Sequence, residues 1–159
     1  ARAAYGFQAN YIPRDEQELE EASPTDLSPE LSRPFRALRL WLPLQVLGTA
    51  PFEAAMEEKL LLARYAHSRL GELDGVEVGP PPDLSVVMFR AVPRQGDPDE
   101  YNTRLVGAVL EDGRVSLSPT TVKGTRWVRL AILAPRTHRG AIDSAIEVIR
   151  EKLRLLGRE

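Results

Sequence analysis

The chain contains no cysteine. Disulfides, thiolate nucleophiles and zinc–cysteine sites are therefore excluded. Histidine is almost as scarce: His67 and His138 are the only two, and they lie far apart in the sequence. No histidine-rich metal cluster is expected, and no residue is assigned to a metal. No stretch approaches the roughly 20 apolar residues of a membrane span. The opening run, ARAAYGFQAN, lacks the apolar stretch of a signal peptide. Neither sign of charge is in excess, since 21 basic and 23 acidic residues leave a formal net charge of −2. That balance gives no footprint for nucleic acid or an anionic membrane. The lack of cysteine fits a cytoplasmic location, which is the expectation here.

What is present is an ordinary globular mix. The chain has 159 residues, 43% hydrophobic and 28% charged, enough for one domain or slightly more. Tyr5, Phe7, Tyr11 and Ile12 read as the tail of a helix ended by Pro13. Residues 14–31 carry an acidic run, DEQELEE, and a turn-rich stretch, SPTDLSPE; they read as a long loop. Residues 35–47, FRALRLWLPLQVL, are apolar nearly all the way round a helix, with a kink expected at Pro43 and a stop at Gly48. Such a helix requires cover on more than one side.

Pro51 suits the first turn of a second helix. Its expected apolar stripe is Phe52, Met56, Leu60, Ala63, His67 and Leu70, closed by Gly71. A short strand in GVEVGPPP (75–82) precedes a stronger one, LSVVMFR (84–90), rich in β-branched residues. Asp97, Pro98 and Glu100 form a helix start. Tyr101, Leu105, Ala108 and Val109 give that helix its apolar face. Strands are expected at VSLS (115–118) and WVRLAIL (127–133). A last helix starts near Thr137, with Ile142, Ala145, Ile146, Ile149, Leu153 and Leu156 as its stripe and Gly157 as its end. Paired strands separated by helices favour an α+β two-layer fold with a mostly antiparallel sheet. The first 50 residues do not obviously join that layer.

The run SRPFRALRLWLPLQVLG (32–48) resembles a signature of the group II pyridoxal-phosphate-dependent decarboxylases of amino acids. The pattern is Ser or Gly, two arginines, Phe-Arg-Ala/Ser-Leu-Lys, an apolar residue, Trp, and a helix ending in Gly. This chain keeps Ser32, Arg33, Phe35, Arg36, Leu38, Trp41 and Gly48. It departs at Pro34, in place of the second arginine, and at Arg39, in place of lysine. The segments ANYIP (9–13), EEKLLLARYAHSRL (57–70), LSVVMFR (84–90) and KGTRWVRLAILAPRTHRGAID (123–143) resemble further family elements, so the likeness spans nearly the whole chain.

The resemblance implies a fold-type I pyridoxal enzyme. Residues 1–50 would be the end of its large cofactor-binding domain, with residues 14–31 a mobile lid and residues 35–47 the apolar helix. Residues 51–159 would be the small C-terminal domain, an antiparallel sheet with helices on one face. The implied activity is decarboxylation of an L-amino acid to an amine, and the implied partner is a second copy in a homodimer. The family's cofactor lysine follows a histidine, and Lys59, Lys123 and Lys152 do not. The chain would then be a fragment lacking the N-terminal large domain, unable to hold pyridoxal 5'-phosphate and inactive alone.

Two site residues follow from the resemblance. Tyr11 matches a mobile-loop tyrosine that protonates the substrate carbon in the neighbouring subunit; a phenol with pKa near 10 carries a proton at neutral pH. Ser32 matches a position lining the partner's substrate pocket, and it also suits a helix N-cap. Arg129 is expected in a structural ion pair, and His67 and His138 in structural roles. The competing reading, from another class, is a non-catalytic α+β regulatory or interaction domain.

Overall fold

The computed structural model describes residues 34–157. The chain divides into two units, Ala1–Gly48 and Thr49–Glu159. The first unit's described part is dominated by α1 (Leu38–Leu47), which runs through Pro43 without a break in helix. None of its residues is buried; Phe35 and Val46 are 68% and 69% exposed. Gly48 ends the helix at φ +75°, ψ −173°, a backbone state that side chains disfavour, which accounts for glycine there.

The second unit contains α2 (Ala50–Gly71), β1 (Val76–Val78), β2 (Val86–Ala91), α3 (Pro98–Asp112), β3 (Ser118–Val122), β4 (Thr125–Ala131) and α4 (Arg139–Leu156). The four strands form one antiparallel sheet in the order β1-β2-β4-β3. This is the expected α+β architecture. Strand β4 lies between β2 and β3, so the β2–α3–β3 connection is a split crossover.

Alternation along the strands decides which face is covered. Val87, Phe89 and Ala91 of β2, with Val128 and Leu130 of β4, are buried in one core with Leu62, Ala66 and Leu70 of α2, Leu105 and Val109 of α3, and Ile142, Ile146 and Ile149 of α4. Each such large side chain contributes about 1.5–3 kcal/mol when buried. The opposite face carries Glu77, Arg90, Trp127 and Arg129. There Arg90 bonds Glu77 at 2.7 Å and stacks 5.4 Å from the Trp127 ring centroid.

Local rules account for most boundaries. Asp97 caps α3, its side chain accepting from Asp99 N at 3.0 Å, and Gly113 closes that helix at φ +77°. Strand β3 differs from expectation, running from Ser118 to Val122 instead of 115–118. Lys123 (φ 51°) and Gly124 (φ 79°) form a two-residue turn with both central residues left-handed, and this turn fixes the register Val122↔Thr125. Pro119 is tolerated because β3 is an edge strand. Helix α2 also differs. Its buried residues are Lys59, Leu62, Ala63, Ala66 and Leu70, while Met56 is exposed and Leu60 and His67 are half-buried.

The N-terminal turn of α3 fills a gap in the sheet. The β2–β4 ladder stops at Phe89↔Val128. Beyond it, the fully buried Asn102 takes the place of a strand: its Oδ1 accepts from Ala91 N at 2.9 Å, and its Nδ2 donates to Ala91 O at 2.8 Å. Asp99 Oδ1 accepts from Arg126 N at 3.0 Å. Among the described residues, no helix is long and apolar enough to cross a membrane.

Candidate functional site

The two residues assigned by resemblance, Tyr11 and Ser32, lie outside the described residues, as does the loop 14–31. Of the signature run, Phe35, Arg36, Leu38, Trp41 and Gly48 are described, and they sit on or beside α1.

Whether the described residues can hold pyridoxal phosphate turns on the lysines, because the cofactor needs an uncharged amine with room around it. Lys59 is buried, and its ammonium donates to Thr137 O at 2.5 Å, Glu58 Oε2 at 2.8 Å and Pro135 O at 3.2 Å. All three donors are engaged: two tie α2 to the segment before α4, and the third reaches the neighbouring Glu58 on α2 itself. Lys152 pairs with Asp112 Oδ2 at 3.0 Å. Lys123 sits in the exposed two-residue turn. None of these surroundings fits a cofactor-bearing lysine, and no step through the cofactor is assigned to these residues.

The histidines have structural roles. His67 Nε2 lies 2.9 Å from Gly79 O, and since a carbonyl only accepts, the ring nitrogen donates. His138 stands at the N-cap of α4 and bonds Glu58 Oε1 through Nδ1 at 2.7 Å. His138 and Lys59 together hold the Glu58 carboxyl below its ordinary value by hydrogen bonding. Arg129 is exposed and makes no ion pair among the described residues, contrary to the sequence-based expectation. It sits on the sheet face that no helix of this unit covers, so no carboxylate is packed against it. No group of three or more potential metal-ligating side chains occurs among the described residues.

Sequence reasoning missed two clusters. One is the Lys59–Glu58–His138 tie. Its signal was Lys59 itself, three and four positions before Leu62 and Ala63 on the buried stripe. The other joins Tyr65 to Arg69, Arg139 and Asp143 between α2 and α4. Only the fold brings those together.

No family model matches the chain. Individual relatives do. The chain is 35% identical over 138 residues to the aromatic-L-amino-acid decarboxylase of Bacillus atrophaeus, covering 84% of this chain and 29% of that protein. It is 29% identical over 130 residues to a phenylacetaldehyde synthase of Petunia hybrida, covering 76% of this chain and 26% of that protein. The chain is homologous to the group II pyridoxal-phosphate-dependent decarboxylases. The fold agrees: the Oryza sativa TDC solved with PLP and tryptamine matches with a TM-score of 0.73 at 21% identity, over 98% of this chain and 33% of that one. The chain thus spans about a third or less of the length of these family members. The architecture, an antiparallel sheet with packed helices, is that of the small domain of a fold-type I pyridoxal enzyme.

Proposed function

We propose that this chain is the portion of a pyridoxal-phosphate-dependent carboxy-lyase that contains its small domain, and that the whole protein decarboxylates an L-amino acid to an amine. The observation that carries the reading is the 35% identity to an aromatic-L-amino-acid decarboxylase over 84% of the chain. Residues 1–50 supply the end of the large domain, and residues 51–159 the small domain. The division of the chain after Gly48 supports that assignment. The cofactor lysine belongs to a part of the protein beyond these residues, so the chain alone is inactive and does not hold the cofactor.

The whole protein works in the cytoplasm as a homodimer. The uncovered apolar side chains of α1 support the homodimer, since Leu40, Trp41 and Leu47 are 64%, 54% and 60% exposed. Tyr11 delivers a proton to the substrate carbon that has lost carbon dioxide, and Ser32 lines the partner's substrate pocket. Residues 14–31 close over the site and exclude water. The test is a product assay on a polypeptide spanning the full length of the relatives, supplied with pyridoxal phosphate and a panel of aromatic, imidazole and acidic L-amino acids. Amine and carbon dioxide in equal amounts from one substrate class are expected. A protein that binds no cofactor and releases no carbon dioxide from any of them would support a non-catalytic domain instead.

A further inference from the structure

A groove of about 500 Å³ runs between α2 and α4. Tyr65 and Arg69 line it from α2, Arg139, Asp143 and Glu147 from α4, and Arg114 from the turn after α3. The Tyr65 ring is its platform. The guanidinium carbon of Arg139 lies 4.9 Å from the ring centroid and that of Arg69 lies 6.0 Å away. An arginine resting on an aromatic ring gains cation–π attraction while keeping its N–H fork available for acceptors.

The charges around this ring are unevenly satisfied. Arg114 is held by Asp112 and Glu151, and Glu147 is bonded to Arg150. Asp143 Oδ1 accepts from the Tyr65 hydroxyl at 2.5 Å. Arg69 and Arg139, by contrast, donate no hydrogen bond to any described residue. The carboxylate oxygens nearest their Nε atoms are Glu72 Oε2 at 3.5 Å and Asp143 Oδ2 at 3.9 Å, beyond good bonding distance. Arg69 Nε is buried with no hydrogen-bond partner. Two cations therefore lie within 6.0 Å of one ring centroid in long ion pairs, at a groove large enough for a small ligand. Although Arg69 Nε is too enclosed to reach a ligand, the terminal guanidinium nitrogens of both arginines make no hydrogen bond to a described residue.

We propose that this groove binds a phosphate group, with Arg69 and Arg139 as its donors and Tyr65 as the surface that holds them. Phosphate carries up to two negative charges near neutral pH and several acceptor oxygens. It can therefore meet two guanidinium forks at once, which a singly charged carboxylate with two oxygens does less completely. The site contains neither Tyr11 nor Ser32, so its test is independent of the decarboxylase reading.

The experiment is an NMR titration of the isotopically labelled 159-residue chain with inorganic phosphate at low ionic strength, following the arginine Nε–Hε signals. Saturable shifts of the Arg69 and Arg139 signals in the millimolar range or below are expected. Arg69→Ala and Arg139→Ala should each weaken binding roughly tenfold or more, as for loss of a charged hydrogen bond. Their side chains are 36% and 75% exposed, so the fold should survive both changes. Arg129→Ala, on the sheet face away from the helices, should leave the affinity unchanged. A second titration with phenyl phosphate distinguishes the source: tighter binding than inorganic phosphate points to a phosphorylated metabolite, and equal or weaker binding to free phosphate. Absence of saturation, or equal weakening by Arg129→Ala, would overturn the proposal, since the former means no site and the latter only a response to net charge.

Discussion

Replacing Asn102 with leucine should be among the most destabilising single changes available in the second unit. The side chain is fully buried and has the same branched heavy-atom skeleton as leucine, whose bulkier methyl groups would add some overpacking while every hydrogen bond is lost. Three bonds go: Ala91 N to Oδ1, and Nδ2 to the carbonyls of Ala91 and Pro98. Pro98 O lies at the first turn of α3 and can still accept from the helix backbone. Ala91 is 1% exposed, and β4 has already diverged from β2 at this level, so its N–H and C=O have no substitute. Two orphaned buried backbone groups at about 1–3 kcal/mol each predict a loss of roughly 2–6 kcal/mol. With a urea slope of about 2 kcal/mol/M, the unfolding midpoint should fall by roughly 1–3 M. The assay is urea denaturation of wild type and Asn102→Leu, followed by circular dichroism, with the slopes compared to verify that the same surface is exposed. A loss below about 1 kcal/mol would refute the argument that Asn102 acts as a surrogate strand, because that is the net worth of one ordinary hydrogen bond.

Three further outcomes are expected. Hydrogen bonds from Arg114 and then Lys152 hold the Asp112 carboxyl well below its usual range, so its folded value is depressed relative to the unfolded one. Its stabilising contribution is then present above pH about 4 and is lost as pH falls through the folded value. The thermal midpoints of wild type and Asp112→Asn should therefore converge on acidification below pH 4, and a constant gap from pH 7 to pH 2 would count against the linkage. Gly79→Ala would place a Cβ 3.1 Å from Met88 Cβ and 3.3 Å from Met88 O, and should destabilise by about 1–3 kcal/mol in the same urea assay. In the full-length enzyme, Tyr11→Phe should lower amine formation roughly 10²–10⁴-fold while substrate binding stays near wild type; amine made at the wild-type rate would remove Tyr11 from the chemistry.

Much of the fold was legible because local signals agreed with the tertiary structure. Asp97 opens α3 where capping chemistry places it, and the stripe Ile142–Ala145–Ile146–Ile149 identified the buried face of α4. Two elements were misread for physical reasons. Val115 and Leu117 do face the core, which made 115–118 look like a strand, but the Lys123–Gly124 turn sets the pairing further along. In α2 a lysine occupies a core position and Met56 an exposed one, so hydrophobicity alone gave a stripe rotated from the true one. The buried lysine is tolerated because carbonyls from the segment before α4 surround its ammonium, and no local pattern encodes that arrangement. Tyr11 and Ser32 are assigned only through the family resemblance, since a lone tyrosine and a lone serine carry no chemistry of their own in sequence, and both lie outside the described residues. The Tyr65–Arg69–Arg139 groove depends on the packing of α2 against α4, across some 70 positions of sequence, and composition gives no hint of it.

This chain is proposed to be the part of a pyridoxal-phosphate decarboxylase that does not carry the cofactor lysine. Borohydride fixation of the cofactor followed by peptide mapping tests it most directly, performed on the full-length protein and on residues 1–159 in parallel. The full-length protein should carry one stoichiometric label, on a lysine preceded by histidine and lying outside these residues, and the isolated chain should carry none. A stoichiometric label on Lys59, Lys123 or Lys152 in either sample would contradict the account.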